Sequence, residues 1–267
     1  RLSGFLKDEG LGRYLTYLIP LMFAMISIKK NIKIYEIIFA MILLILVDVL
    51  TYLSGERTSF ILLVMSTLII ITGVSKFRYL RASCFILSIL LAIFFTIKDS
   101  DVRYRIIDTS INDLGLENED TNIINVQYDG IYTTAYKIFL DNPIIGIGVK
   151  NFRIRCNEEK YSSKYPCSTH PHNTLLQFLS ETGLVGTFFY LSAFVFTFLA
   201  LIRNLYGRIF GIKKYILDDY KVCLFAACFI ILWPIAPSLN FFNNWISIFY
   251  YLPLPFLLQE RISKKNI

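Results

Sequence analysis

Residues 34–53 read IYEIIFAMILLILVDVLTYL, with Glu36 near the start and Asp48 as the only charged group further in. A helix needs about twenty apolar residues to cross the hydrocarbon core of a bilayer, so this stretch reads as transmembrane. Six further apolar stretches stand between charged breaks on either side of it, at 14–28, 59–75, 80–97, 184–202, 222–235 and 245–258. Composition agrees: hydrophobic residues make up 55% and charged residues 18%, against roughly a quarter charged in soluble domains, and the mean hydropathy is +0.54. The fold expected is an all-α membrane protein with about seven transmembrane helices. It divides into four helices with short loops over 1–97, a long and partly helical polar loop over 98–183, and three helices with a tail over 184–267. The chain opens at Arg1 without a signal-peptide layout and reads as a segment of a longer protein.

The net charge of +7 would raise nucleic acid as a partner for a soluble chain. In a membrane chain the distribution matters more. If successive breaks alternate sides, one set holds Lys29, Lys30, Lys33, Lys76, Arg78, Arg81, Arg203, Arg208, Lys213, Lys214, Lys221, Arg261, Lys264 and Lys265, fourteen basic residues. The opposite short segments hold Arg1, Lys7, Arg13 and Arg57. The positive-inside rule places the first set in the cytoplasm and the 98–183 loop outside. That loop carries nine Lys or Arg and twelve Asp or Glu, so it is mildly acidic within a basic chain.

Within the loop, residues 113–122 (DLGLENEDTN) read as an exposed acidic stretch. Ile131, Ala135, Ile138 and Phe139 recur at helical spacing over 125–140, which predicts an amphipathic helix lying on the outer membrane surface or on the spans. Asn142-Pro143 ends it. The only two histidines fall in Thr169-His170-Pro171-His172-Asn173-Thr174. Thr174 with Gln177 has capping-box spacing, so a helix is expected to begin there, with His172 just before its N-terminus. The helix dipole there favours a neutral imidazole able to accept a proton, and the backbone amides favour an anion. The plainer reading is two surface histidines in a turn.

Arg57 is the lone basic residue of Ser54-Gly55-Glu56-Arg57. It suits a phosphate or carboxylate at the membrane surface, or else serves as a snorkelling anchor or a partner for Glu56. Asp48, inside its span, is either functional or hydrogen-bonded within the bundle. Cys156 and Cys167 read first as a disulfide worth about 2 to 3 kcal/mol in an oxidising compartment, and second as zinc ligands with His170 and His172. Asp99-Ser100-Asp101 and Gly146-Ile147-Gly148 resemble metal-binding and dinucleotide motifs, but both are more simply turn chemistry.

In this order across a long loop, the motifs carry a resemblance. Arg1-Leu2-Ser3-Gly4-Phe5 with Asp8-Glu9, the Ser54-Gly55-Glu56-Arg57 turn and Asp141-Asn142-Pro143-Ile144-Ile145-Gly146-Ile147-Gly148 with Asn151-Phe152-Arg153 are followed by Thr169-His170-Pro171-His172-Asn173 and Glu181-Thr182-Gly183-Leu184-Val185-Gly186. The chain resembles the C-terminal half of the O-antigen ligase and polymerase family. That resemblance implies a metal-independent, inverting glycosyltransferase of the bacterial inner membrane that needs no cofactor. Its donor would be a glycan on undecaprenyl pyrophosphate, and its acceptor lipid A-core for a ligase or another glycan repeat for a polymerase, with the 98–183 loop in the periplasm. Carried over by motif, Arg57 would bind the donor pyrophosphate and His172 would act on the acceptor hydroxyl. His170, Asn173, Arg153 and Arg155 on the loop, and Asp48 as an intramembrane carboxylate, are the substrate-binding candidates. The family often has a second Arg where this chain reads Tyr128-Asp129-Gly130-Ile131, and Arg153, Arg155, Arg103 or Arg105 could replace it. The competing readings are a transporter or channel using Asp48 and the prolines of 233–255, and a membrane-anchored binding or sensory module built on the loop.

Overall fold

The computed structural model describes residues 11–108, 111, 126–161, 167–235 and 240–263. The opening 1–10 motif and the acidic 113–122 stretch lie outside the described residues. The described residues are overwhelmingly helical: α1 (Leu11–Ile28), α2 (Ile34–Leu53), α3 (Arg57–Gly73), α4 (Arg78–Lys98), α5 (Ser100–Arg103), α6 (Val126–Asp141), α7 (Phe152–Arg155), α8 (Thr174–Phe210), α9 (Asp219–Ile231), α10 (Asn244–Tyr251) and α11 (Pro253–Ser263). By length and apolar composition α2, α4 and α8 can each cross a membrane, while Gly12–Ile28, Arg57–Gly73 and Ser247–Leu258 are shorter apolar helices. The apolar stretch 222–235 is helical only to Ile231. The 13 residues of α9 rise about 20 Å, short of a hydrocarbon core about 30 Å thick.

The chain forms two compact units, one of residues 1–103, 196–231 and 249–267, the other of residues 104–195 and 232–248. In the first, α9 is enclosed: every residue from Val222 to Ile231 is buried, as expected of a helix apolar on all faces. Val222, Cys223, Leu224 and Ala226 pack into one core with Ile19 and Phe23 of α1, Met41 and Leu44 of α2, and Leu63 and Ile70 of α3.

Polar contacts close both ends of this unit. At one end Asp219 accepts the backbone N–H groups of Ser75 (2.9 Å) and Lys76 (3.0 Å), and Arg208 reaches Ser75 Oγ and the Leu217 carbonyl. Lys76 Nζ donates to the carbonyls of Ser27 and Lys29 past the end of α1, while buried Arg81 donates to those of Ile70, Val74 and Lys76 at the end of α3. Cations thus satisfy carbonyls left over at helix C-termini. Three residues of the basic set that the sequence reading assigns to one side of the membrane, Lys76, Arg81 and Arg208, are structural clamps. At the other end Glu56 accepts from Gly12 N–H (3.1 Å) and Ser59 Oγ (2.9 Å), and Thr16 donates to the Ser59 carbonyl.

In the second unit the Ile131, Ala135 and Ile138 stripe of α6 is buried. It packs on Phe152, Cys156 and Tyr161 of the loop, and Leu176 at the head of α8, a helix of spanning length, packs against the same core. Most of the partners come from the loop itself, where a disulfide and a short helix fold apolar residues back onto α6.

The same unit holds a break in α8 at Gly183, where the backbone leaves helical geometry (φ 63°, ψ −162°). The break frees carbonyls before Gly183 and N–H groups after it, and the 143–148 turn satisfies both. Ile147 N–H donates to the Ser180 carbonyl (3.0 Å) and Gly148 N–H to that of Glu181 (2.8 Å). Leu184 and Val185 donate to the carbonyls of Pro143 (2.7 Å) and Ile144 (3.1 Å). Backbone approaches backbone so closely that a Cβ on Gly146 would lie 2.4 Å from the Glu181 carbonyl carbon, and one on Gly183 2.4 Å from the Ile144 oxygen. Both glycines also have positive φ, the conformation in which a side chain costs most.

Gly211 provides a comparison, since it has φ 69° and nothing within 4 Å of an added Cβ. Gly211→Ala should cost only the conformational strain, about 1 kcal/mol. Gly146→Ala should cost about 3 kcal/mol or more because strain and collision add. Thermal unfolding of the two variants in detergent checks the order; equal midpoints would show that the turn is not seated in the break.

Candidate functional site

The His-Pro-His-Asn segment leads directly into α8. Asn173, rather than Thr174, caps the helix: its Oδ1 accepts Leu176 N–H (3.0 Å) and its backbone carbonyl accepts Gln177 N–H (2.9 Å), while its Nδ2 donates to the Ile235 carbonyl (3.1 Å). Gln177 is therefore not half of a capping box. Its fully buried amide donates to Glu181 Oε2 (3.1 Å) and Asn240 Oδ1 (2.8 Å) and accepts Phe241 N–H (3.0 Å).

His172 immediately precedes the cap and has left-handed backbone geometry, φ 56°. Non-glycine residues seldom adopt it, and strain of this kind gathers at functional sites. Its ring is held on three sides. Nε2 lies 2.9 Å from Ser168 Oγ, the His170 ring is 4.1 Å away centre to centre, and Tyr128 of α6 meets it edge-on at 5.9 Å. His170 is buried, with Nδ1 3.0 Å from Thr169 Oγ1. The Cys156–Cys167 disulfide, Cα atoms 5.1 Å apart, closes the loop just before Ser168. With both sulfurs so joined, the thiolates that a zinc reading needs are spent.

Glu181 is the charged group at this site that the sequence reading left without a role. It is fully buried and accepts Phe152 N–H at 3.3 Å and the Lys150 N–H as well as the Gln177 amide. One carboxylate thereby ties α8 to the segment carrying Arg153 and Arg155. Asn173, Gln177 and Glu181 stand four residues apart at the head of a largely apolar helix, a polar stripe visible in the sequence and a sign of an inward-facing network.

Arg153 is exposed, its Nε on the Lys150 carbonyl at 3.2 Å. Arg155 pairs with Glu158 at 2.8 Å and lines an open cavity of about 410 Å³ with Asn142, Gly146, Ile147, Asn151 and Ile154. Arg103 is exposed, and the Arg105 side chain lies outside the described residues. Near the cavity Asp141 accepts from Lys160 Nζ (3.0 Å) and Tyr161 Oη (2.9 Å), hydrogen bonds that hold its carboxyl below the ordinary aspartate range.

Arg57 and Asp48 belong to the first unit. Arg57 is half-buried and opens α3, directly after Glu56, whose oxygens already serve Gly12 and Ser59. Positive φ at Gly55 turns the chain there. Asp48 is buried on α2, with Ser88 of α4 beside its carboxyl. Of the two discounted motifs, Asp99 caps α5 through the N–H groups of Asp101 and Val102, and Gly146 to Gly148 form the turn seated in the α8 break.

Residues 39–191 match the family described as O-antigen ligase. This stretch contains every candidate residue above from Asp48 to Asn173. Comparison with curated proteins finds no match.

The disulfide should resist thiol labelling until reductant is added, and Cys156→Ser should lower stability by about 2 to 3 kcal/mol; free labelling at Cys156 and Cys167 without reductant would contradict it. For Asp141 the folded-state value is depressed, so its stabilising contribution is complete above the ordinary carboxylate range and is lost as pH falls through the depressed value. Asp141→Asn should therefore unfold earlier than the parent at neutral pH, the gap closing in strong acid.

Proposed function

Since this chain belongs to the O-antigen ligase family, we propose that it is a glycosyltransferase of the bacterial inner membrane. It transfers a glycan from undecaprenyl pyrophosphate to an acceptor hydroxyl at the periplasmic face, and acts as a ligase on lipid A-core. The observation that carries this reading is His172: a strained, ring-packed imidazole set at the head of an apolar helix. Energy spent holding one side chain in that geometry is better explained by chemistry at the side chain than by a surface turn.

His172 is assigned to remove the proton from the acceptor hydroxyl. The oxygen attacks C1 of the donor sugar as the bond from C1 to the phosphate oxygen breaks, and C1 inverts. The lipid pyrophosphate leaves with the electron pair. Arg57 is assigned to that pyrophosphate, where a fixed guanidinium matches phosphate oxygens in a bidentate manner. Ser168, His170 and Tyr128 orient the base. Arg153 and Arg155 are the cations assigned to substrate on the loop, in place of the second family Arg missing near Tyr128, and Asn173 holds the turn while capping α8. General-base assistance of this kind contributes about 10² to 10⁴-fold. Asp48, enclosed beside Ser88, is the weakest of the substrate-binding assignments.

His172→Ala and Arg57→Ala should each abolish glycan transfer while the protein remains in the membrane; near-normal transfer by either variant removes that residue from the mechanism. Deletion of the gene should leave lipid-linked chains intact and the lipid core bare. Cores carrying a single repeat would instead identify a polymerase, and an unchanged glycan profile would reject both.

A further inference from the structure

The turn seated in the α8 break ends in two side chains that the protein leaves uncovered: Ile144 is 65% and Ile145 74% exposed. Neither joins the loop core of Ile131, Ala135, Ile138, Phe152 and Tyr161. Their height is fixed by backbone hydrogen bonds, since the Ile144 carbonyl accepts Val185 N–H (3.1 Å) and the Pro143 carbonyl accepts Leu184 N–H (2.7 Å). Leu184 and Val185 begin the apolar run of α8, a helix of spanning length, and with Phe188 and Phe189 below them they are exposed large apolar residues. On the α6 side Tyr136 and Leu140, one helical turn apart, are exposed as well. The apolar surface of the span therefore continues onto the turn, with a tyrosine at its far side, the residue type that prefers the headgroup level.

We propose that the 143–145 turn is a lipid-inserted wedge, with Ile144 and Ile145 among the acyl chains just below the headgroups at the Leu184 end of the α8 span. Its partner is the bilayer itself. The wedge sets the loop at a constant height on the membrane, because the hydrogen bonds that seat the turn also register it against the helix.

The test uses the full chain in phosphatidylcholine vesicles, with acyl chains either plain or dibrominated near the glycerol end. Trp233 and Trp245 are replaced by Phe, and one tryptophan is introduced as Ile145→Trp, Ile144→Trp or, as a control on the exposed short helix after the disulfide's first cysteine, Glu159→Trp. Thermal unfolding confirms that each variant retains its fold. Brominated lipid should remove about half or more of the emission at position 145 or 144, with a blue-shifted maximum, and leave position 159 essentially unchanged. Quenching at neither isoleucine position, or equal quenching at all three, overturns the proposal. A folding failure at one isoleucine leaves the other to decide, and failure of both would show that the turn is packed against protein and overturn it equally.

Discussion

Four backbone hydrogen bonds across the break in α8 seat the 143–148 turn of the second unit. In a continuous helix the Ser180 and Glu181 carbonyls and the Leu184 and Val185 N–H groups would bond along the helix. At Gly183 the 143–148 turn takes their place. A helix that is to enter a membrane cannot leave such groups unpaired, because each would cost several kcal/mol in an apolar surrounding. The turn and the break are therefore mutually required, and the two glycines follow from that requirement because nothing larger lets the two backbones meet. Once the turn is seated, Asn151 and Phe152 follow within a few residues, and Glu181 fixes them from the same helix.

The position of His172 follows from the same helix. Its head is capped by Asn173, and Gln177 and Glu181 follow at four-residue spacing; Asn173 bonds the Ile235 carbonyl, Gln177 the 240–241 segment and Glu181 Phe152 N–H. This polar stripe converts the head of an apolar helix into a scaffold on which the 240–242 segment and the 150–152 segment are both hung. The disulfide then limits how far Ser168 can stray from His172. The histidine turn is held from the helix side by the cap and from the loop side by the disulfide, which is the kind of support a preorganised side chain needs.

The apolar runs and their order were legible in the sequence because burial and membrane crossing impose periodicity and length on every residue of a run. The Asn-Pro stop of α6 was equally plain, whereas Glu181-Thr182-Gly183 stood out only as part of a family motif and the break at Gly183 emerges from the fold. What local pattern could not give was the partner of each face. The Ile131 stripe looks the same whether it meets lipid or a loop, and only the folded positions of Phe152 and Tyr161 decide it. The cap was misassigned by one residue for a related reason: Thr174 satisfies the spacing rule, but Gln177 has better-placed partners at Asn240 and Phe241, 63 and 64 residues away, which no local rule contains. Glu181 was overlooked although its stripe was visible, because a lone carboxylate at the head of a span reads as a boundary marker.

Charge illustrates how one feature serves two constraints. Lys76, Arg81 and Arg208 belong to the basic set from which the sequence reading expects an orientation, yet their heads are spent on helix-end carbonyls and on Asp219. A cation at a helix C-terminus lowers the energy of the folded bundle, while the same cation in a short loop resists translocation during insertion. These effects act at different stages and on different groups, so neither weakens the other. It follows that neutralising one of these residues perturbs packing even where enough basic residues remain to set orientation. A loss of function on such a change is therefore no sign that the residue takes part in chemistry, and the same holds at the opposite end of the helices, where Glu56 joins Gly12 and Ser59 around the start of α3.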